Sequence, residues 1–285
     1  VTDVVAAASG RIPILTVDGE RVTQRVDAVA GEEPLQIRAA GPGQEPVDVA
    51  VTMRTPGQEE ELALGFLVTE GLVDAGSGAR ATFGFGDPRR IAMPHDEILV
   101  RLPVAFDREA VSERHFVATA SCGICGRASI DELAARVTPL PGGPVLGRSV
   151  IVGLPDAMRS SQAVFERTGG LHAAALFDTD GSLVALREDV GRHNALDKLV
   201  GSQVLAGGLP LHRRVALVSG RVSFEIVQKA ATSGIPILCA ISAPTDLAIE
   251  TAERLGMTLV GFLRGDSFNV YTGAHRLDLG TTTSR

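Results

Sequence analysis

The 285-residue chain is 45% hydrophobic and 21% charged with a mean hydropathy of +0.18, which suits a folded protein with a substantial core and excludes disorder as its main state. Lys and Arg number 27 against 34 Asp and Glu, a net charge of −7, and there is no Trp and one Tyr; that balance argues against a nucleic-acid partner. Three cysteines are too few for a disulfide scaffold, and no apolar run approaches the roughly 18 residues of a membrane span, so a cytoplasmic protein is expected.

In chain order, the first thirty residues carry little pattern. Val47, Val49 and Val51 alternate with Asp48 and Ala50 as in a half-buried strand. Thr55-Pro56-Gly57-Gln58 reads as a helix start, with Thr55 as N-cap and Gln58 closing a capping box, and Gly71 as the stop. Ile98–Leu102 is a second strand and Ala128–Val137 a helix, followed by a Pro/Gly linker. Residues 1–138 thus form an α+β N-terminal domain, and 139–285 a larger domain. Its predicted strands are Leu171–Phe177, Leu183–Leu186, Val215–Val218, Pro236–Ile241 and Thr258–Leu263. Helices are expected over Asn194–Val200, Phe224–Thr232 and Thr245–Leu255, with Gly256 as the last one's stop. The first two strands flank Asp178-Thr179-Asp180-Gly181, a hairpin turn. The later alternation predicts an α/β fold with a mainly parallel sheet between helices.

Ser121-Cys122-Gly123-Ile124-Cys125-Gly126 is the first candidate site. Its glycines permit a tight loop, and the predicted helix start that follows favours a thiolate. Zinc is not favoured: one CxxC supplies two of four ligands, His115 and His172 make no second pair, and Cys239 reads as a core thiol. Deaminase chemistry is rejected because His172-Ala173-Ala174 lacks the proton-shuttling Glu. Nucleophilic sulfur remains, with Cys122 and Cys125 as a working pair; inert cysteines and dithiol exchange are the alternatives.

Three loops add groups suited to anions. The first runs from Arg187 through Asp189, Arg192, His193 and Asn194 to Asp197 and Lys198. The second is Ser219-Gly220-Arg221 before Ser223, and the third Phe262-Leu263-Arg264-Gly265-Asp266-Ser267. In a parallel sheet all three leave the carboxyl ends of strands and line one crevice, basic through Arg187, Arg192, Arg221 and Arg264. An exposed helix start with ordinary ion pairs is the alternative for the first loop, and a hairpin with ordinary charges the equal alternative for the third. His172 reads as a core histidine, His95 and His212 as surface residues, and His275 sits near the tail.

Thr55-Pro56-Gly57, Glu61 to Leu67, the Cys122–Gly126 loop, Phe165 to His172, Asp189 to Lys198 and Ser219-Gly220-Arg221 together resemble the FdhD family. The likeness spans about Glu32 to Tyr271, and Asp189–Lys198 is its most specific piece. The resemblance implies a sulfurtransferase acting through a persulfide on Cys122, with Cys125 as its partner. A cysteine desulfurase would supply the sulfur. The receiver would be the molybdenum bis(molybdopterin guanine dinucleotide) cofactor of formate dehydrogenase, with the Phe262–Ser267 loop at the cofactor site. It implies a cytidine-deaminase-like larger domain, no structural metal, and a guanine nucleotide such as GDP as a mimic. A cofactor with two guanines would also suit paired crevices in a homodimer. A chaperone that only holds and delivers the cofactor, and a zinc-stapled nucleotide-binding module, are the competing readings.

Overall fold

The computed structural model describes residues 8–74, 79–85, 96–113, 140 and 142–280. The CxxC loop, His95, His115 and the predicted helix at 128–137 lie outside the described residues. The stretch expected to carry little pattern forms a hairpin, β1 (Ser9–Asp18) with β2 (Arg21–Ala30), in full antiparallel register. Gly19-Glu20 makes its two-residue turn, with Gly19 at φ 60°, a Gly-first turn that the sequence offers.

β3 (Glu33–Ala40), β4 (Val47–Arg54), β5 (Arg80–Phe85) and β6 (Asp96–Arg101) form a four-stranded sheet in the order β4-β3-β6-β5. Helix α1 (Glu59–Thr69) packs on it through Leu62, Leu64 and Leu67. The helix starts later than expected: Gly57 and Gln58 adopt positive φ, and Thr55 makes no cap because its polar groups bond elsewhere. Gly71, at φ 64°, follows the helix end as expected. A short helix, α2 (Glu109–Glu113), follows β6.

The chain then builds β7 (Leu146–Gly147), α3 (Arg148–Arg159), α4 (Ala163–Thr168), β8 (His172–Phe177), β9 (Leu183–Asp189) and α5 (Arg192–Leu205). These lead into β10 (Val215–Val218), α6 (Phe224–Thr232), β11 (Ile237–Ala240), α7 (Asp246–Arg254), β12 (Thr258–Arg264) and β13 (Ser267–Thr272), and β14 (Leu277–Asp278) pairs with β7. The six-stranded sheet has the order β13-β12-β11-β10-β8-β9. It is mixed, correcting the mainly parallel expectation: β10-β11 and β11-β12 are parallel, while β8-β9, β8-β10 and β12-β13 are antiparallel. Two tight turns, at 178–182 and 265–266, allow hairpins where a parallel partner would need a long crossover. Because β8 is antiparallel to both neighbours, β9, β10, β11 and β12 still point the same way. Their carboxyl ends share one edge, from which the loops after β9, β10 and β12 leave.

Both faces of this sheet are covered. Ala174, Leu176, Ala216, Val218 and Leu238 pack under α5, α6 and α7, and Ala175, Phe177, Leu217 and Cys239 pack under α3. The N-terminal sheet joins this assembly through α1, which is buried nearly all round between β-sheet and α5. The helices cross at Gly65 and Gly201. A methyl group on Gly65 would run into the carbonyl of Asp197, and one on Gly201 into the carbonyl of Glu61. Gly201→Ala is therefore expected to cost about 3 kcal/mol or more in a denaturation experiment. Gly153→Ala, in α3 with open space around it, should be neutral or slightly stabilising.

Candidate functional site

The motif from Asp189 to Lys198 divides between core and surface. Asp189, at the end of β9, is fully buried and forms an ion pair with buried Lys198 at 2.7 Å. Its carboxylate also accepts from Thr55 N (3.1 Å), Gly191 N (2.9 Å) and Asn194 Nδ2 (3.2 Å). Lys198 Nζ donates to Thr55 O at 2.8 Å, and the Thr55 hydroxyl accepts from Val190 N at 3.1 Å. Asn194 reaches the other way, donating to Met53 O at 2.8 Å. These bonds satisfy a buried carboxylate and ammonium, which would otherwise be costly. They also fix the β9–α5 turn against the N-terminal sheet.

One turn on, Asp197 pairs with Lys229 of α6 at 2.9 Å, and Lys229 bonds Glu70 at 2.7 Å and Thr69 Oγ1 at 3.0 Å. Burial works to lower the Lys229 pKa, but the carboxylates of Asp197 and Glu70 outweigh it and hold the amine up at about 12. Arg187, expected in the crevice, instead forms a bidentate pair with Glu61 of α1.

What remains facing outward is Arg192 and His193, the first residues of α5. The helix has no side-chain N-cap, so its amino end favours an anion. The Arg192 Nε is buried and has no hydrogen-bond partner among the described residues. Arg192 flanks Gly220 together with His172: a Cβ on Gly220 would sit 3.5 Å from Arg192 Cβ and 3.3 Å from His172 Nδ1. Ser219 Oγ accepts from Ala173 N at 2.9 Å and lies 3.5 Å from His172 Nδ1. His172 is thus partly exposed at the sheet edge rather than in the core. Burial, then the Arg192 charge, lowers its pKa. The same two causes, with Lys229 added, push His193 down to about 4 although Glu225 pulls upward. His193 Nε2 stands 3.5 Å from Ser223 Oγ.

Beside this group, His172, Ser219 and Ile241 line a cleft of about 690 Å³ that runs under α3 and α4. Arg221 is exposed at the rim of the edge. The 262–267 segment lies next along: Arg264 Nε donates to Ile241 O at 3.3 Å, and Phe262 N to Ser242 O at 3.1 Å. A bulge between Gly261 and Arg264 puts Phe262 at φ 53° and 40% exposed. Leu263 is fully buried in the core, so it can offer a ligand only its backbone. Gly265 makes the turn at φ 51°, Asp266 O accepts from Arg148 at 3.2 Å, and Ser267 pairs with Arg264. Arg192, His193, Ser219 and Gly220 therefore converge, while Arg221 and 262–267 flank them. Cys239 is buried and burial raises its pKa to about 12, an inert thiol as expected. Cys122 and Cys125 lie outside the described residues. Among the described residues no cluster of three His, Cys, Asp or Glu side chains could hold a metal ion, and no helix is long and apolar enough to cross a membrane. Sequence reasoning missed the roles of Thr55 and Thr69, both buried and bonded across the unit boundary; only their place in the resemblance or beside a helix end could have hinted at them.

A mixed sheet with this edge is thus joined to a smaller sheet through a glycine-mediated helix crossing. The FdhD/NarQ family model matches residues 30–278, and the chain belongs to that family. It is 45% identical to the sulfur carrier protein FdhD of Nocardia farcinica, covering 97% of this chain and 98% of the other. It is 46% identical to the protein of the same name from Sulfolobus acidocaldarius, over 92% and 95% of the two chains. A crystal structure from Desulfotalea psychrophila, provisionally described as a formate dehydrogenase accessory protein, superposes with a TM-score of 0.70. It covers 95% of this chain and 99% of that one at 24% identity, which shows a shared fold.

Removing the Lys198 amine leaves the Asp189 charge uncompensated, so Lys198→Met should lower unfolding free energy by about 3–5 kcal/mol in denaturant titration. With its folded-state value at about 4 against the ordinary 6.5, His193 is neutral at pH 7. Between those values the unfolded chain binds a proton that the folded chain refuses. Stability from this group therefore falls as pH drops from 6.5 through 4. An NMR titration of the His193 ring should show a midpoint near 4, and His193→Gln should reduce the acid sensitivity of folding in that window.

Proposed function

We propose that the chain is a sulfur carrier in formate dehydrogenase maturation, the role named in its relatives. Cys122 accepts sulfur from a cysteine desulfurase, and the crevice holds the receiving molybdenum bis(molybdopterin guanine dinucleotide) as substrate. The observation that carries the crevice half is Arg192: a half-buried guanidinium beside Gly220 at the amino end of α5, whose Nε has no hydrogen-bond partner among the described residues. Diphosphate oxygens are the natural partner for that group. Neutral His172 and His193 add hydrogen-bonding capacity without repelling a second cation, and Ser219, Arg221 and the Phe262–Ser267 segment lie along the same edge.

In the sulfur half, the Cys122 thiolate attacks the outer sulfur of the desulfurase persulfide. That S–S bond breaks, the desulfurase thiolate departs, and Cys122 carries a new persulfide. Attack by the Cys125 thiolate on the inner sulfur then expels the outer sulfur as hydrosulfide, which becomes the molybdenum ligand. The two cysteines are left as a disulfide, and a dithiol reductant of the cytoplasm resets them. Electrons balance because the sulfur gains the two that the cysteines lose.

After incubation with desulfurase and cysteine, mass spectrometry should find one reducible extra sulfur on the Cys122 peptide. Cys122→Ala should abolish formate dehydrogenase activation while GDP binding persists. An unmodified Cys122 peptide, or full activation by a Cys122→Ala/Cys125→Ala double variant, would instead support a chaperone that only binds and delivers the cofactor.

A further inference from the structure

Thr55-Pro56-Gly57 belongs to the family resemblance but has no part in the crevice described above. Thr55 is 2% exposed, so it cannot touch a ligand at the strand-end edge, yet its three polar groups are all committed to the β9–α5 turn. Its N–H donates to Asp189 Oδ2 at 3.1 Å, its carbonyl accepts from Lys198 Nζ at 2.8 Å, and its hydroxyl accepts from Val190 N at 3.1 Å. Pro56 disfavours helical backbone at the residue before it and leaves Thr55 extended. An extended residue presents its N–H and carbonyl on the same side, as in a hydrogen-bonded pair of antiparallel strands. Here the Asp189 carboxylate and the Lys198 ammonium take the places of a partner strand's carbonyl and N–H.

The mount on which Thr55 sits is stiff. Arg54, just before it and 1% exposed, holds carboxylates from three elements: Glu33 of β3 at 3.1 Å, Glu59 of α1 at 3.2 Å, and Asp96 of β6. Just after it, Gly57 N donates to Glu59 Oε1 at 2.6 Å, and Gly57 and Gln58 take positive φ of 104° and 62°, so the chain turns sharply into α1. On the other side of the contact, the amides of Val190 and Gly191 are both turned inward, onto Thr55 Oγ1 and Asp189 Oδ1. The next amides, of Arg192 and His193, open a helix whose first N–H groups have no partner within it. Where the inward pair ends thus decides where the free N–H groups and Arg192 begin.

We propose that Thr55 is a positioning residue for the anion seat, the fixed point from which the amino end of α5 and the Arg192 guanidinium take their direction. Without the hydroxyl, the Val190 N–H loses its acceptor and the turn is free to shift. The seat then loses alignment although every group that would touch the anion is still present. The inference rests on the crevice reading above and adds to it a residue of the N-terminal unit that no ligand reaches.

Calorimetric titration of the full chain with inorganic pyrophosphate tests it. Thr55→Val keeps the side-chain shape and removes the hydroxyl. It should weaken pyrophosphate binding by about fivefold or more, the scale of a coupling between separate sites. Thr55→Ser keeps the acceptor and should stay within about twofold of the wild type. Coupling is reciprocal, so in the wild type pyrophosphate should slow amide exchange at Thr55 and Val190 more than at Leu102. The Leu102 N–H bonds Ala40 O at the far end of the N-terminal sheet, and a merely structural threonine would leave the three rates in step. That measurement needs no variant, so it decides the matter even where Thr55→Val does not fold. Unchanged pyrophosphate affinity in Thr55→Val, an equal loss in Thr55→Ser, or equal protection at all three amides overturns the positioning role and leaves the crevice standing. A wild-type chain that binds no pyrophosphate overturns the crevice reading and the positioning role with it.

Discussion

Helices α1 and α5 meet backbone to backbone at Gly65 and Gly201, and that closeness governs where charge can be buried. Side chains of ordinary size at the crossing would push the helices apart. Glu61, Thr69 and Glu70 could then no longer reach Arg187, Asp197 and Lys229. Asp197 and Lys229 are buried, where an unpaired ion would be severely destabilising. The glycines and the ion pairs are thus two halves of one constraint: the contact is close because the charges must meet, and the charges are tolerated because the contact is close.

The same constraint sets the electrostatics of the strand-end edge. Asp189 pulls the His172 pKa upward, but less than burial and the Arg192 charge pull it down. With Lys198 bound directly to Asp189, much of that negative charge is spent internally. A chain of net charge −7 therefore presents a local positive edge with neutral imidazoles beside it. Net charge describes bulk behaviour, whereas a cleft responds to the charges that are left unpaired within it.

Much of the later fold was legible in the sequence. Val215–Val218 and Phe224–Thr232 have in the structure the bounds that the sequence predicts, because a short apolar run and a serine before a helix are local signals. Thr245 caps α7 through Ala248 N, again a local feature. The failures share a cause in distance. Thr55 was read as an N-cap because nothing nearby reveals Asp189, 134 residues on. Strand direction escaped periodicity for the same reason, since alternation does not say which neighbour a strand pairs with. At the site, the density of polar residues from Asp189 to Lys198 correctly marked an unusual segment. It did not separate Asp189, Asn194, Asp197 and Lys198, which are buried, from Arg192 and His193, which face the edge.

Cys239 carries a practical consequence. Its thiol is wholly enclosed by the sheet and α3 and ionises only at about pH 12, so in the native protein it is closed to electrophiles and sulfur donors alike. Of three cysteines, only the pair at 122 and 125 is left to react. Any alkylating tag or labile sulfur acquired under native conditions therefore reports on that pair without background, and one labelling in denaturant counts the silent third thiol as an internal standard.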